Sequence, residues 1–207
     1  MTTIIVLSWL LVSYLIGAIP FGLLIGRIYG IDIRKVGSGN IGATNVTRAV
    51  GKTAGKVCFF LDFLKGALPT AAAQLIYPDL PWLTLGCGAA AILGHVFPVY
   101  LKFKGGKGIS TAAGAALALA PLPLLGAAAI WAAAFFIWRY VSLASILAAV
   151  ALPVLAVLFR LFGIGTETAR SAVTLGFITV AAILAVLRHI ENIRRLLNGT
   201  ESRFTKK

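Results

Sequence analysis

Charge is what this chain is short of. Only 12% of its 207 residues are Asp, Glu, Lys or Arg, and just 6 of them are acidic. A soluble globule carries about 25% charged and roughly 45–50% apolar residues. Here 59% are hydrophobic, which excludes an ordinary cytosolic globule and also disorder, since disorder needs low hydrophobicity. Lys and Arg number 19 and the net charge is +13, but too few polar residues accompany them to build a nucleic-acid interface. Cysteine is scarce too. Cys58 and Cys87 each lie inside an apolar run, read as buried core thiols, and exclude a disulfide framework. No cluster of metal-ligating side chains is evident, so neither a metal nor another cofactor is expected. The first apolar run has no basic n-region before it and no small-residue cleavage site after it, so it reads as a retained span rather than a signal peptide.

What remains is an integral membrane protein with basic loops. Crossing about 30 Å of hydrocarbon takes roughly 20 helical residues. Runs of that order are 4–26, 57–77, 82–101, 109–138, 140–159 and 171–187. Pro121 and Pro123 interrupt the fourth, and two prolines one residue apart favour a turn, so 109–138 is either two helical segments or one kinked helix. Charge chooses between them. With two segments, loops 27–56 and 102–107, Arg139 and the tail from Arg188 share one side and hold sixteen of the nineteen basic residues. Arg160 and Arg170 fall on the other side, and Lys65 is intramembrane. A single kinked helix would carry the six tail cations across. The expectation is therefore an all-α integral membrane protein of about seven transmembrane helical segments. Its N-terminus is outside and its C-terminus cytoplasmic, in one polytopic domain over 1–207 with no separate soluble domain. Segment 109–120 spans only about 18 Å at 1.5 Å per residue, which allows an incomplete crossing or a re-entrant pair with the same sidedness.

Three polar clusters stand out. The first, 37–48, holds Gly37, Gly39 and Gly42 in G-x-G-x-x-G spacing with Asp62 twenty residues beyond, but it lies between membrane spans and not in the βαβ unit a dinucleotide fingerprint requires. Its physics is that of an anion cradle. Glycines let N–H groups approach closely, Ser38, Asn40, Thr44 and Asn45 add polar partners, and Arg48 adds a fixed cation. In the second cluster Lys102, Lys104 and Lys107 surround Gly105, Gly106 and Gly108, just before a helix expected from Ile109. Gly108 after Lys107 rules out a Walker A loop, but exposed N–H groups at a helix start, with lysine charge, suit a phosphate. In the third, His189, Asn192 and Arg195 recur at i, i+3 and i+6, one helical face, and Glu201 follows. Within the apolar runs, Asp62 and Lys65 are three apart and read as an ion pair holding the first loop, and His95 reads as a hydrogen-bonded core histidine. The sidedness puts all three clusters at cytoplasmic helix ends, an anion-binding pocket beside lipid. Chemistry is favoured over transport, because transporters place their sites at mid-membrane.

In order and spacing, 37–48, 103–111 and 189–201 resemble the three cytoplasmic motifs of the bacterial acyl-phosphate:glycerol-3-phosphate acyltransferase family, and 61–66, 93–98 and 140–145 are similar to further family segments. Ile109-Ser110-Thr111 departs conservatively from the family's Val-Ala-Thr. The resemblance implies transfer of a fatty acyl group from acyl phosphate to the 1-hydroxyl of glycerol 3-phosphate. The products are lysophosphatidate and phosphate, the first step of phospholipid synthesis, at the bacterial cytoplasmic membrane. The His-x4-Asp motif of another membrane acyltransferase family is absent, since Tyr100 and Arg194 stand five residues after the two histidines. The resemblance assigns glycerol 3-phosphate to Gly105, Gly106, Lys107 and Gly108, with Lys104 beside them. Two phosphorylated substrates need two anion sites, so the acyl phosphate is expected near Ser38, Gly39 and Arg48 and the N–H groups of the first loop, with Asn40, Gly42, Thr44 and Asn45 also in substrate binding. The expected catalytic set is Ser38, Arg48, Lys107, His189 and Asn192, with Arg195 in substrate binding. His189 or the substrate's own phosphoryl oxygen takes the hydroxyl proton. Asn192 orients His189 or the glycerol hydroxyls, Glu201 holds the tail against the first loop, and Asp62, Lys65 and His95 support the site. Expected partners are the two substrates, the bilayer and, transiently, the soluble enzyme that makes acyl phosphate. The alternatives are a transporter of a phosphorylated solute or lipid and a non-catalytic membrane scaffold.

Overall fold

Hydrocarbon offers no water to satisfy peptide groups, so a chain of this composition closes its backbone hydrogen bonds within each segment. The computed structural model accordingly consists of helices, with no strand among the described residues, 3–204. Lys206 and Lys207, two of the six tail cations, lie outside that range. The chain divides into two compact units, Met1–Ala118 and Leu119–Lys207.

The first unit holds α1 (Thr3–Ala18), α2 (Phe21–Ile28), α3 (Ala43–Ala49), α4 (Lys52–Ile76), α5 (Pro81–Val96) and, apart from its last residue, α6 (Ile109–Leu119). The apolar run expected as one span is two helices. Pro20 has no N–H for the ladder and the chain breaks there, while the Ile19 carbonyl accepts from Lys65 Nζ at 2.9 Å. α1 packs on α5 where Gly17 faces the Ala91 backbone and Gly94 faces the Tyr14 carbonyl, so a Cβ on either glycine would overlap main chain. Small residues of this kind are what let helices approach in a membrane. Gly66 and Gly114 do the same between α4 and α6. α4 starts five residues before the apolar run does, because Lys52 and Lys56 belong to its first turns and not to the loop.

The second unit holds α7 (Pro121–Trp138), α8 (Val141–Leu161), α9 (Glu167–Arg170), α10 (Ala172–Leu187) and α11 (Ile190–Leu197). Helical bonding stops at Leu119 and restarts at Pro121, so 109–138 is two helices, as the proline pair predicts. Ser171 caps α10 by accepting from Thr174 N at 3.1 Å. α10 and α11 are bent by 54° about the break at His189.

Thr3–Ile28, Lys52–Ile76, Pro81–Leu101, Pro121–Trp138 and Val141–Leu161 are each long and apolar enough to cross a membrane, and the bent α10–α11 pair makes a sixth if counted as one span. α6 has 11 residues and reaches about 16 Å, well short of the hydrocarbon thickness.

Candidate functional site

In the first unit the loop between α2 and α3 is organised by a buried amide. Asn45, 1% exposed, donates through Nδ2 to the carbonyls of Ile33 (2.8 Å) and Val36 (3.0 Å) and accepts at Oδ1 from Ser38 N (3.0 Å). These bonds occupy both its amide hydrogens, so Asn45 shapes the loop and does not grip a substrate as the sequence suggests. The Gly42 N–H is likewise taken by Asn40 Oδ1 at 2.8 Å. Gly37 and Gly39 sit at φ 61° and 68°, which glycine adopts without strain, and the turn they make leaves Ser38 exposed. Arg48, on the last turn of α3, is exposed as well. Arg34 belongs elsewhere. Its Nε and Nη2 bind Asp32 at 2.9 and 2.8 Å, and that hydrogen-bonded guanidinium holds the Asp32 carboxyl well below the usual carboxylate range.

The second cluster sits on a buried ionic centre. Asp62 Oδ1 lies 2.7 Å from Lys65 Nζ and 3.6 Å from His95 Nδ1, and all three side chains are buried. The expected ion pair is therefore present, although Lys65 reaches the α1–α2 break and not the first loop. Thr111 Oγ1 donates to the Asp62 carbonyl at 2.9 Å. Above this centre the chain turns through Lys102 and Phe103 at φ 52° and 62°. Non-glycine residues held there cost of order 1–3 kcal/mol each, and such strain gathers at functional sites. Gly105 N donates to the Val96 carbonyl (3.2 Å) and Gly106 N to the His95 carbonyl (3.1 Å). Both N–H groups, on glycines that the resemblance assigns to glycerol 3-phosphate, are thus directed into the fold. Of the loop's cations Lys102 and Lys104 are exposed and Lys107 is half-buried, with Gly108 at φ 80° leading into α6.

In the second unit a buried carboxylate, Glu201, gathers the third cluster. Oε1 accepts from Ser142 Oγ and from Asn192 Nδ2, both at 2.7 Å, and Oε2 accepts from Arg195 Nε at 2.7 Å. Burial alone would raise the Glu201 carboxyl, but the hydrogen bonds from Arg195, Ser142 and Asn192 outweigh it and hold it below its ordinary value. The first loop, to which the sequence tied Glu201, supplies none of these three donors. Asn192 spends one of its two amide hydrogens on Glu201. His189 immediately precedes α11 and is 3% exposed, and its Nδ1 lies 2.7 Å from the Ala185 carbonyl. A carbonyl only accepts, so Nδ1 carries hydrogen, and in the neutral ring the lone pair is on Nε2. Beyond Glu201 the tail is fixed by Arg203 Nε on Tyr140 Oη (2.8 Å) and by Phe204 N on the Arg139 carbonyl (2.8 Å). Sequence reasoning missed Ser142 and Tyr140 as partners of the tail, although both lie in the similar segment 140–145. Among the described residues no group of three His, Cys, Asp or Glu could hold a metal.

A family model described as "Glycerol-3-phosphate acyltransferase" matches residues 7–199. The glycerol-3-phosphate acyltransferase of Geobacter sulfurreducens is 46% identical over 193 residues, which cover 93% of this chain and 94% of that protein. That of Aquifex aeolicus is 45% identical over 193 residues, covering 93% and 95%. The fold is similar to crystal structures of PlsY (YgiH), an integral membrane glycerol 3-phosphate acyltransferase. Its glycerol 3-phosphate form has a TM-score of 0.88 at 42% identity, covering 97% of this chain and 96% of that one. Its lysophosphatidic acid form has a TM-score of 0.85 at 41% identity, covering 97% and 95%.

Proposed function

The chain belongs to the glycerol-3-phosphate acyltransferase family and is a membrane enzyme acting on glycerol 3-phosphate, and we propose that its acyl donor is acyl phosphate. The 1-hydroxyl oxygen attacks the acyl carbonyl carbon. The tetrahedral intermediate then collapses, the carbon–oxygen bond to phosphate breaks, and its electron pair leaves with the phosphate. Lysophosphatidate and inorganic phosphate are the products, and this is the first step of phospholipid synthesis. An acyl phosphate is already activated, so the protein's part is mainly orientation and charge stabilisation.

Lys104 and Lys107, beside the glycines of the strained loop, hold the phosphate of glycerol 3-phosphate. Ser38, Gly39 and Arg48 hold the donor's phosphate; Ser38 and Arg48 are exposed on the loop that Asn45 shapes. The hydroxyl proton has two chemically competent acceptors, His189 Nε2 and an oxygen of the departing phosphate. The tautomer fixed by Ala185 supports the first. The active site faces the cytoplasm at the inner membrane, a reading supported by the concentration of sixteen of the nineteen basic residues on one expected side. Acyl phosphate is labile and sparingly soluble, so the soluble enzyme that makes it delivers it in transient contact.

The observation that carries this reading is the full-length likeness to a glycerol 3-phosphate-bound enzyme at 42% identity. Purified protein given labelled glycerol 3-phosphate and acyl phosphate should yield labelled lysophosphatidate with one phosphate released per product. Accumulation of unmodified glycerol 3-phosphate in reconstituted vesicles without donor would instead support the transporter.

A further inference from the structure

We propose that Asp62 and His95 are positioning residues for the loop that carries Lys107, and that the His95 ring is the floor against which Gly106 sets that loop's height. The proposal rests on the reading that Lys107 binds glycerol 3-phosphate. The loop is held at both ends by one turn of α4. Before it, His95 Nδ1 lies 3.6 Å from Asp62 Oδ1. After it, Thr111 Oγ1 donates to the Asp62 main-chain carbonyl at 2.9 Å. Lys65, 2.7 Å from the same Oδ1, balances the carboxylate charge and is itself anchored on the Ile19 carbonyl. Residue 62 is thereby held by contacts outside the loop as well.

Between those two ends the loop folds over the imidazole. The Gly106 N–H donates to the His95 carbonyl at 3.1 Å, and a Cβ at position 106 would run into His95 Nε2 and the two ring carbons beside it. Gly106 immediately precedes Lys107, so any lift of the backbone there moves the lysine. Gly105 is confined differently, because a Cβ there would meet the main-chain oxygens of His95 and Val96 and the Pro98 ring. Obstruction by a side chain is relieved when that side chain is shortened. Obstruction by backbone is not.

That difference gives the test. Steady-state kinetics would be measured for Lys107→Ala, Gly106→Ala, His95→Ala, the double variant His95→Ala/Gly106→Ala, Gly105→Ala and His95→Ala/Gly105→Ala, with both substrates varied. Displacement of a binding group by a fraction of an ångström up to 1 Å should raise KM for glycerol 3-phosphate about tenfold in Gly106→Ala and His95→Ala, with KM for acyl phosphate changed less than about twofold. The double variant with Gly106→Ala should be no worse than either single one, because the two losses share one contact. The pair with Gly105→Ala should show no such rescue. Multiplying losses in the Gly106 double variant, or equal KM changes for both substrates, would overturn the positioning role. Unchanged glycerol 3-phosphate KM in Lys107→Ala would remove the underlying reading and this inference with it. A raised KM in Lys107→Ala alone, with wild-type values in the His95 and Gly106 variants, would remove only the inference. Gly106→Ala and Lys107→Ala leave the Asp62–Lys65 pair untouched, so the test stands even where His95→Ala fails to fold.

Discussion

Each unit turns on a buried carboxylate, and the two are satisfied in different ways. Asp62 lies along an apolar helix, and its charge is balanced by Lys65 one turn later, with His95 Nδ1 3.6 Å from the same oxygen. Glu201 lies in the tail beyond the last helix and is satisfied by three donors, Ser142 from the start of α8 and Asn192 and Arg195 from α11. The first centre is sealed: both members of its ion pair are almost inaccessible. The second is open on one side, with the Arg195 side chain 40% exposed. A sealed pair has no water to fall back on when one partner is lost, whereas an open one does. The difference teaches that the first unit's centre is a framework and the second's is a clasp.

The largest effect should come from breaking the sealed pair on one side only. Lys65→Met leaves Asp62 uncompensated in a buried site and should cost about 3–5 kcal/mol. Thermal unfolding in detergent would read it. Asp62→Leu/Lys65→Met removes both charges and should recover much of that loss. The recovered protein should still bind glycerol 3-phosphate poorly, because His95 has lost its partner, so stability and KM should separate. Next in size is His189→Gln, which on the His189 route lowers kcat about 100-fold with little change in glycerol 3-phosphate KM. A KM change alone removes His189 from the proton path and leaves the proton to the departing phosphate.

Opening the clasp should be milder. Glu201→Gln keeps the shape of the carboxylate but gives up its charge-assisted bond to a part-exposed arginine, worth about 1 kcal/mol after solvent screening. The pH dependence has a definite sign. Glu201 is held below its ordinary value in the folded protein, so the folded state binds fewer protons there than the unfolded one. Its stabilisation is complete above the ordinary glutamate range and is lost as the pH falls through the lowered folded value. Unfolding temperature followed over the acid range should therefore fall more steeply for the wild type than for Glu201→Gln. Equal slopes would show that Glu201 is not the group responsible.

The contrast also explains which parts could be read from the sequence. The Asp62–Lys65 pair is local, three residues apart on one helix, and spacing alone reveals it. Helix existence followed from apolar runs, and the break at Ala120 from two prolines. The break at Pro20 escaped because the apolar run continues through it. The glycine loops were found by composition, but not the direction of their N–H groups, since Gly105 and Gly106 bond to main-chain carbonyls that no side-chain pattern marks. Asn45 was misread for the same reason: two of its three partners are carbonyls and the third is a backbone N–H. Ser142 is 59 residues from Glu201, a separation at which helical periodicity carries no information.

The central claim is that acyl phosphate, and not a thioester, delivers the acyl chain to glycerol 3-phosphate on this protein. Purified enzyme assayed with acyl phosphate, acyl-CoA and acyl carrier protein as alternative donors decides it. Lysophosphatidate formed from acyl phosphate alone, with matching phosphate release, is the predicted result. Product formed from acyl-CoA or acyl carrier protein at a comparable rate would contradict it.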